Sequence, residues 1–383
     1  MTDAQCPWSD ARSNTNTRPY DRMLTRRGFV QRVAWIAGFS GSISAMPHLA
    51  FGGSLQADAF DAEFPSMGSK IQLRWVSDQG IDPMLVLRRA RELADFWVDI
   101  LSDYQQDSQC NQLCREADHG TWTFVSDGLW KVIAECDRWH RISEGAFDAS
   151  LGALTRLRRS NRDASQEQWN SARAQCGWDL LELDTDEHRI RFLKPGVRLD
   201  FGAIGKGFVV DRIGDGLREL GISSFSVNAS GNMCLGDSPN RGDTVLGWPI
   251  AIGAIGNPDR ELLRIRIEGC GIATSGDLFQ KFRDGAREET TKKSSHIVDP
   301  AIRRGLVSSQ MATVITNSAA DADAMATACC VHMQRGRVCG WLNRGQSLLP
   351  SHRLILQYQD EADREIRFTS VCSDEPAQSN GAR

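Results

Sequence analysis

The chain has 383 residues, 41% of them hydrophobic, and a formal net charge of −4. That length and apolar content support a sizeable packed core and exclude a wholly disordered polymer. The lack of a basic excess argues against a nucleic-acid partner, and no heptads or internal repeats mark a coiled coil or solenoid.

In chain order, residues 1–59 are expected to precede the folded domain. Residues 1–22 read as a disordered polar leader, with Met23 as an alternative start. Thr25-Arg26-Arg27-Gly28-Phe29-Val30-Gln31 resembles a twin-arginine export signal, followed by a mildly apolar stretch at 33–50. Gly38, Gly41 and Pro47 interrupt that stretch, which is too short and too broken for a good membrane span. A basic helix cap is the alternative reading of the two arginines. Cleavage is expected after Ala59 or nearer Ala50, and no lipobox cysteine is present, so no lipid anchor is expected. The expected location is the periplasm, including the periplasmic face of the inner membrane.

Residues 60–368 read as one catalytic domain and 369–383 as a flexible tail. A helix is expected over 83–104, with Leu87, Ala90, Ala94, Trp97, Leu101 and Tyr104 on one stripe. A short strand at 121–125 precedes Ser126, a suitable N-cap for the next helix. Residues 180–183 and 189–193 flank Asp184-Thr185-Asp186-Glu187 as a hairpin. Residues 196–200 read as a short buried strand. Phe208, Val209, Ile213, Leu217 and Leu220 then recur at helical spacing, and Gly221 supplies a stop. Further strands are expected at 225–228, 248–252, 262–267 and 312–316. Short turns between neighbouring strands imply antiparallel pairing, giving an α+β fold with a mixed, largely antiparallel sheet and packed helices.

The eleven cysteines lack the paired Cys-x-x-Cys spacing of a zinc site. Cys110 and Cys114 lie four apart and Cys329-Cys330 are adjacent; most are expected to be buried small hydrophobes. Twin-arginine substrates fold before export, so disulfides are not required.

The segment Asp200-Phe201-Gly202-Ala203-Ile204-Gly205-Lys206-Gly207 carries the most chemistry. Its glycines fall where a strand would turn into a helix, so backbone N–H groups are expected free to meet an anion, with Lys206 adding positive charge. That suits a diphosphate, although neither the P-loop nor the dinucleotide fingerprint is matched. An ordinary strand–turn–helix corner is the alternative. Asp211 could equally pair with Arg212 or Lys206. Downstream, Thr274-Ser275-Gly276-Asp277 forms a polar turn and Ser295-His296-Ile297-Val298-Asp299-Pro300 follows it. Asp323 and Thr327, four apart on one helical face, offer two hard oxygens suited to Mg²⁺. Asp321 cannot share that face and reads as a helix N-terminal carboxylate.

Taken in order, these motifs resemble the ApbE family of FAD:protein FMN transferases over about residues 64–343. Met67-Gly68-Ser69, Leu101-Ser102-Asp103-Tyr104 through Ser108, and Ser143-Glu144-Gly145-Ala146-Phe147-Asp148 extend the match upstream. The resemblance implies a T-fold-like architecture. It also implies an activity that splits FAD, attaches FMN to a threonine of a partner redox protein and releases AMP. By the same resemblance Asp323, Thr327 and the carbonyl of Ala203 hold Mg²⁺. Asp200 and Lys206 contact FAD near its diphosphate, and Ala146, Phe147 and Asp148 line the nucleotide pocket. Tyr104 covers the flavin ring, Met67 and Ile297 add flavin contacts, and His296 accepts the threonine proton. For Tyr104 and Met67 the alternative is core packing; for His296 it is orienting Asp299. The chain departs from the family pattern at Ser230, at Cys114 where the family often has Asn, and at Pro300-Ala301-Ile302-Arg303-Arg304-Gly305. A non-catalytic flavin carrier and an FAD pyrophosphatase are the competing functions.

Overall fold

The computed structural model describes residues 42–45, 58–77, 80–117, 120–160, 164–239, 246–255, 257–276, 281–282, 294–307, 309–345, 348–359 and 366–372. The leader, the twin-arginine motif, Asp277 and most of the tail lie outside the described residues. Strands β1 (Ser42–Ala45), β2 (Asp58–Ser66) and β3 (Ser69–Ser77) are followed by helices α1 (Pro83–Leu101) and α2 (Gln109–Glu116). Then come β4 (Thr123–Phe124), α3 (Asp127–Ile142), α4 (Gly152–Ser160), α5 (Gln166–Ala174), β5 (Leu181–Asp184) and β6 (Arg189–Phe192). The central run is α6 (Gly205–Glu219), β7 (Ser224–Ala229), β8 (Asn232–Leu235), β9 (Trp248–Ala254), β10 (Asn257–Ile267) and β11 (Gly271–Gly276). Short strands β12 (Lys281–Phe282), β13 (Ser294–Ser295), β14 (Val298–Asp299) and β15 (Arg304–Gly305) precede β16 (Gln310–Thr316). The chain continues through α7 (Ala319–Gln334), α8 (Val338–Gly345), β17 (His352–Gln359) and β18 (Ile366–Cys372).

A nine-stranded sheet in the order β1-β2-β3-β7-β8-β11-β16-β17-β18 forms the frame. Every ladder in it is antiparallel, and a lone parallel bridge joins Leu151 to Arg198 elsewhere. Its strands β11, β16 and β17 bury residues on both faces. Ala273, Ala312, Val314, Leu354 and Leu356 join the main core beneath α6 and α7. Their neighbours Ile272, Ile315 and Ile355 point the other way, against Trp248 and Ile252 of the β9–β10 hairpin. That period-two split explains why β16 is buried along its whole length rather than alternating. Helix α7 is likewise buried nearly all round, because it lies between the sheet and α6.

Two tight turns mark one end of the sheet. Met67 and Gly68 join β2 to β3 at φ 50° and 68°, and Ser230 and Gly231 join β7 to β8 at φ 53° and 92°. Two central residues with positive φ match the strand twist of a hairpin. Because Ile71 pairs with Ala229, the two turns lie side by side, and the Ser69 and Ser230 hydroxyls bond to each other. The register Ile272 to Met233 sends the Ser275 end of β11 to that same end.

Several sequence expectations shift. Helix α1 stops at Leu101, with Ser102 extended and its hydroxyl accepting the N–H groups of Tyr104 and Gln105 at 3.3 and 3.1 Å. Tyr104 is therefore not on the helical stripe and is 75% exposed, which removes core packing as its role. Residues 196–200 make one bridge rather than a sheet strand: Arg198 accepts from Gly152 N–H and Asp200 N–H donates to Ala149. The described strands also begin ahead of residue 60, where the folded domain is expected to start: β1 and the first two residues of β2 join the main sheet. Other local signals hold. Ser126 caps α3, Leu181–Asp184 and Arg189–Phe192 pair as a hairpin, and Gly221 (φ 81°) follows α6. There, Ile222 N–H reaches Leu217 O and Gly221 N–H reaches Arg218 O, both at 2.9 Å, the paired bonds of a Schellman stop. Of the nine cysteines with described side chains, seven are buried.

Candidate active site

The site begins where α6 and α7 touch. A methyl group on Gly207 would lie 2.1 Å from the Ala319 carbonyl oxygen, so only glycine permits this approach. The contact is locked by Asp211, buried on α6. Its carboxylate accepts the N–H groups of Ala319 and Ala320 and the Ser318 hydroxyl, each at 2.9 Å. Asp211 therefore caps α7 instead of pairing with Arg212 or Lys206. Burial still pushes its pKa above the usual carboxylate value, against the pull of those donors.

One turn into α7, Asp323 is 3% exposed, and its Oδ2 accepts the Gly207 N–H at 3.1 Å. Gly205 N–H goes to the Phe201 carbonyl at 2.7 Å. The first turn of α6 is thus not an open nest of donors, as the sequence suggested; a carboxylate from α7 already faces it. Burial raises the Asp323 pKa, while the charge of Lys206 and the Gly207 N–H lower it. Lys206 Nζ donates to the Gly202 carbonyl at 3.4 Å, inside the bend that also holds Ala203. The next turn of α7 brings the Thr327 hydroxyl within 3.1 Å of the Ser275 hydroxyl on β11. Thr274 belongs to the other face of the sheet and bonds Thr313 at 2.9 Å. The described part of that expected turn continues β11 through Gly276, and its Ser275 meets α7.

His296 lies between β13 and β14. Solvent reaches the ring, yet surrounding protein crowds it, and with the charges of Lys206 and Arg158 this lowers its pKa to about 4. Lys206 therefore acts on both Asp323 and His296. Arg158, buried on α4, donates to the Ser294 hydroxyl at 2.9 Å and the Ser295 carbonyl at 2.7 Å, fixing the two residues ahead of the histidine. Asp299 instead holds Arg335, at 3.0 Å through Nε, so its partner is an arginine rather than His296. Ile297 is buried; its N–H bonds the Ser295 hydroxyl and its carbonyl accepts Leu306 N–H.

A second cluster surrounds Asp200. Its Oδ1 accepts Gly202 N–H at 2.8 Å; its Oδ2 accepts the Thr155 hydroxyl at 2.5 Å and Arg159 Nη1 at 3.2 Å. The same guanidinium bonds Asp103 and lies 4.4 Å from the centroid of the Tyr104 ring. Burial and the charge of Asp200 push Asp103 up to about 6, against the attraction of Arg159. Cys114, buried, accepts Leu199 N–H at 3.4 Å and so props the segment leading into Asp200.

The Ala146 and Phe147 side chains are buried in the core. Asp148 accepts Ser150 N–H at 2.7 Å and the Ser150 hydroxyl at 2.6 Å. Their segment approaches the site through Ala149, whose carbonyl takes Asp200 N–H. Met67 packs partly against the core at the paired turns. Asp321 bonds Arg138 and Trp139 Nε1, a structural role on the other side of α7. Arg158 and Arg159 were missed in the sequence, where two arginines at a helix end carry no distinguishing pattern.

Among the described residues no cluster of three or more His, Cys, Asp and Glu could hold a metal. Asp323 and Thr327 are one turn apart on α7, and two hard side-chain oxygens so spaced are of the kind Mg²⁺ takes beside substrate phosphate and water. No described helix is long and apolar enough to cross a membrane.

The profile of the ApbE family matches residues 67–347. The chain is 30% identical over 228 residues to the FAD:protein FMN transferase of Chlamydia trachomatis, covering 57% of this chain and 67% of that protein. Against the FAD:protein FMN transferase of Vibrio cholerae it is 28% identical over 273 residues, covering 69% and 78%. In fold it is similar to the flavin transferase ApbE of Vibrio cholerae, with a TM-score of 0.69 at 24% identity over 83% of this chain and 98% of that one. The flavinyl transferase ApbE of Pseudomonas stutzeri gives 0.67 at 24% identity, covering 82% and 94%. With a matched profile across most of its domain and the same sheet-and-helix frame, this chain belongs to the ApbE family.

Proposed function

We propose that this chain is an exported, Mg²⁺-dependent FAD:protein FMN transferase. It would cleave FAD and attach FMN by a phosphoester to a threonine of a periplasmic or membrane-bound redox protein. The names of its relatives support flavin transfer. The observation that carries the reading is the meeting of Asp323 with the first turn of α6, beside a lysine whose charge also reaches His296.

In this scheme Asp323, Thr327 and the Ala203 carbonyl would hold Mg²⁺, which would supply neutralising positive charge at the diphosphate. Lys206 attracts and orients the same diphosphate. His296, neutral because its pKa is depressed, accepts the hydroxyl proton of the incoming threonine. The threonine oxygen forms a bond to the FMN phosphorus, the bond from that phosphorus to the bridging oxygen breaks, and AMP leaves with that oxygen. Asp200 fixes the bend carrying Ala203 and Lys206 through the Gly202 N–H. Tyr104 presents an exposed ring for the flavin.

Purified protein incubated with FAD, Mg²⁺ and candidate acceptors tests the reading. A covalently fluorescent acceptor band is the expected result. AMP release without that band supports hydrolysis of FAD; binding of FAD with neither product supports a carrier. Export is tested separately: replacing Arg26-Arg27 with Lys-Lys should strand the precursor in the cytoplasm.

A further inference from the structure

Arg159, the second-last residue of α4, joins three segments that are far apart in the chain. Its guanidinium bonds Asp103 beyond α1, bonds Asp200 ahead of α6, and lies over the Tyr104 ring at 4.4 Å. The three charged side chains are only 26%, 14% and 11% exposed for Arg159, Asp103 and Asp200, so this is not a loose surface pair. Tyr104 is 75% exposed although one ring face is covered, which leaves the opposite face to solvent.

We propose that Arg159 is a positioning residue for flavin binding: held by two carboxylates, it fixes the Tyr104 ring from behind so that the free face stacks on the isoalloxazine. This inference rests on the reading of the site as one that binds FAD. An unsupported tyrosine on a loop loses rotational freedom when a ligand stacks on it, and that loss weakens binding. A guanidinium held over the ring removes the freedom beforehand, while its fork satisfies both carboxylates. Lysine could supply the charge but neither the planar stack nor the double fork.

FAD is titrated into the full chain in EDTA, followed by flavin fluorescence, so that binding is read without turnover. Tyr104→Ala and Arg159→Met are each expected to weaken FAD about tenfold. Arg159→Lys should recover little of that loss. The double variant should bind no worse than the weaker single variant, because both changes remove one stacked unit. Strictly additive losses, or wild-type affinity in Arg159→Met, overturn the proposal while leaving the flavin reading intact. No binding by the wild type, in EDTA or with Mg²⁺ restored, overturns both. If Arg159→Met fails to fold, Asp103→Asn loosens one side of the clamp and should weaken FAD about threefold; an unchanged affinity there is equally decisive against it.

Discussion

The two halves of the site are built in opposite ways. Around Asp323, two helices cross so closely that Gly207 has no room for a side chain, and a buried carboxylate is set by a backbone N–H. Around Asp200, the parts are carboxylates from two loops gathered by one long side chain, Arg159, from the end of α4. The first half is rigid because its groups are placed by main-chain packing, where a change of one methyl group matters. The second is set by ion pairs to Arg159 rather than by close main-chain contact. Such a division would suit the proposed reaction, with a diphosphate at the first half and a flavin ring stacking at the second.

The comparison can be broken first at Asp323. Replacing it with alanine should lower flavin transfer at least about 10²–10³-fold, with the fold retained, as measured by acceptor fluorescence and circular dichroism. Full activity in that variant with Mg²⁺ present would sink the assignment of the metal ligand.

His296→Ala should cost on the order of 10²–10⁴ in rate. The limb of the pH–rate profile that belongs to His296 should fall as pH drops through about 4, not through the ordinary histidine value. Stability follows the same sign. The unfolded chain takes up a proton near 6.5 that the folded ring refuses until about 4, so stability declines as pH falls across that window. Because solvent reaches the ring, the slope should be shallow, and His296→Gln should remove it in urea titrations at pH 7 and 5.

The rigid half is also sensitive through its scaffold. Asp211→Ala orphans the N–H groups of Ala319 and Ala320, at about 1–3 kcal/mol for each buried donor left unmet. Urea denaturation reads that loss, and transfer activity should fall with it because the same crossing presents Asp323. The smallest effect is expected at the sheet end. Ser230→Gly relieves a left-handed residue but forfeits its bond to Ser69, so stability should change by no more than about 1 kcal/mol.

Much of the frame was legible in the residues. The Asp184-to-Glu187 turn between apolar runs, the Ser126 cap and the Gly221 stop are local signals, and each appears where the pattern put it. The pairing of Asp323 with Thr327 was legible for the same reason, since helical spacing alone puts them on one face. Tyr104 misled because a stripe of apolar residues does not announce where its helix ends; Ser102, bonding back to the following N–H groups, ended it three residues early.

Sequence by itself thus determined what neighbours in the chain decide: turns, caps, helical faces, and which residues could carry oxygen ligands or a proton. Only the folded molecule decided that Asp211 caps α7, that Asp323 fills the start of α6, and that Arg158 and Arg159 support the two halves of the site. Those contacts span some forty to well over a hundred residues. They depend on how closely two helices can approach and where a long side chain ends, which no local pattern encodes.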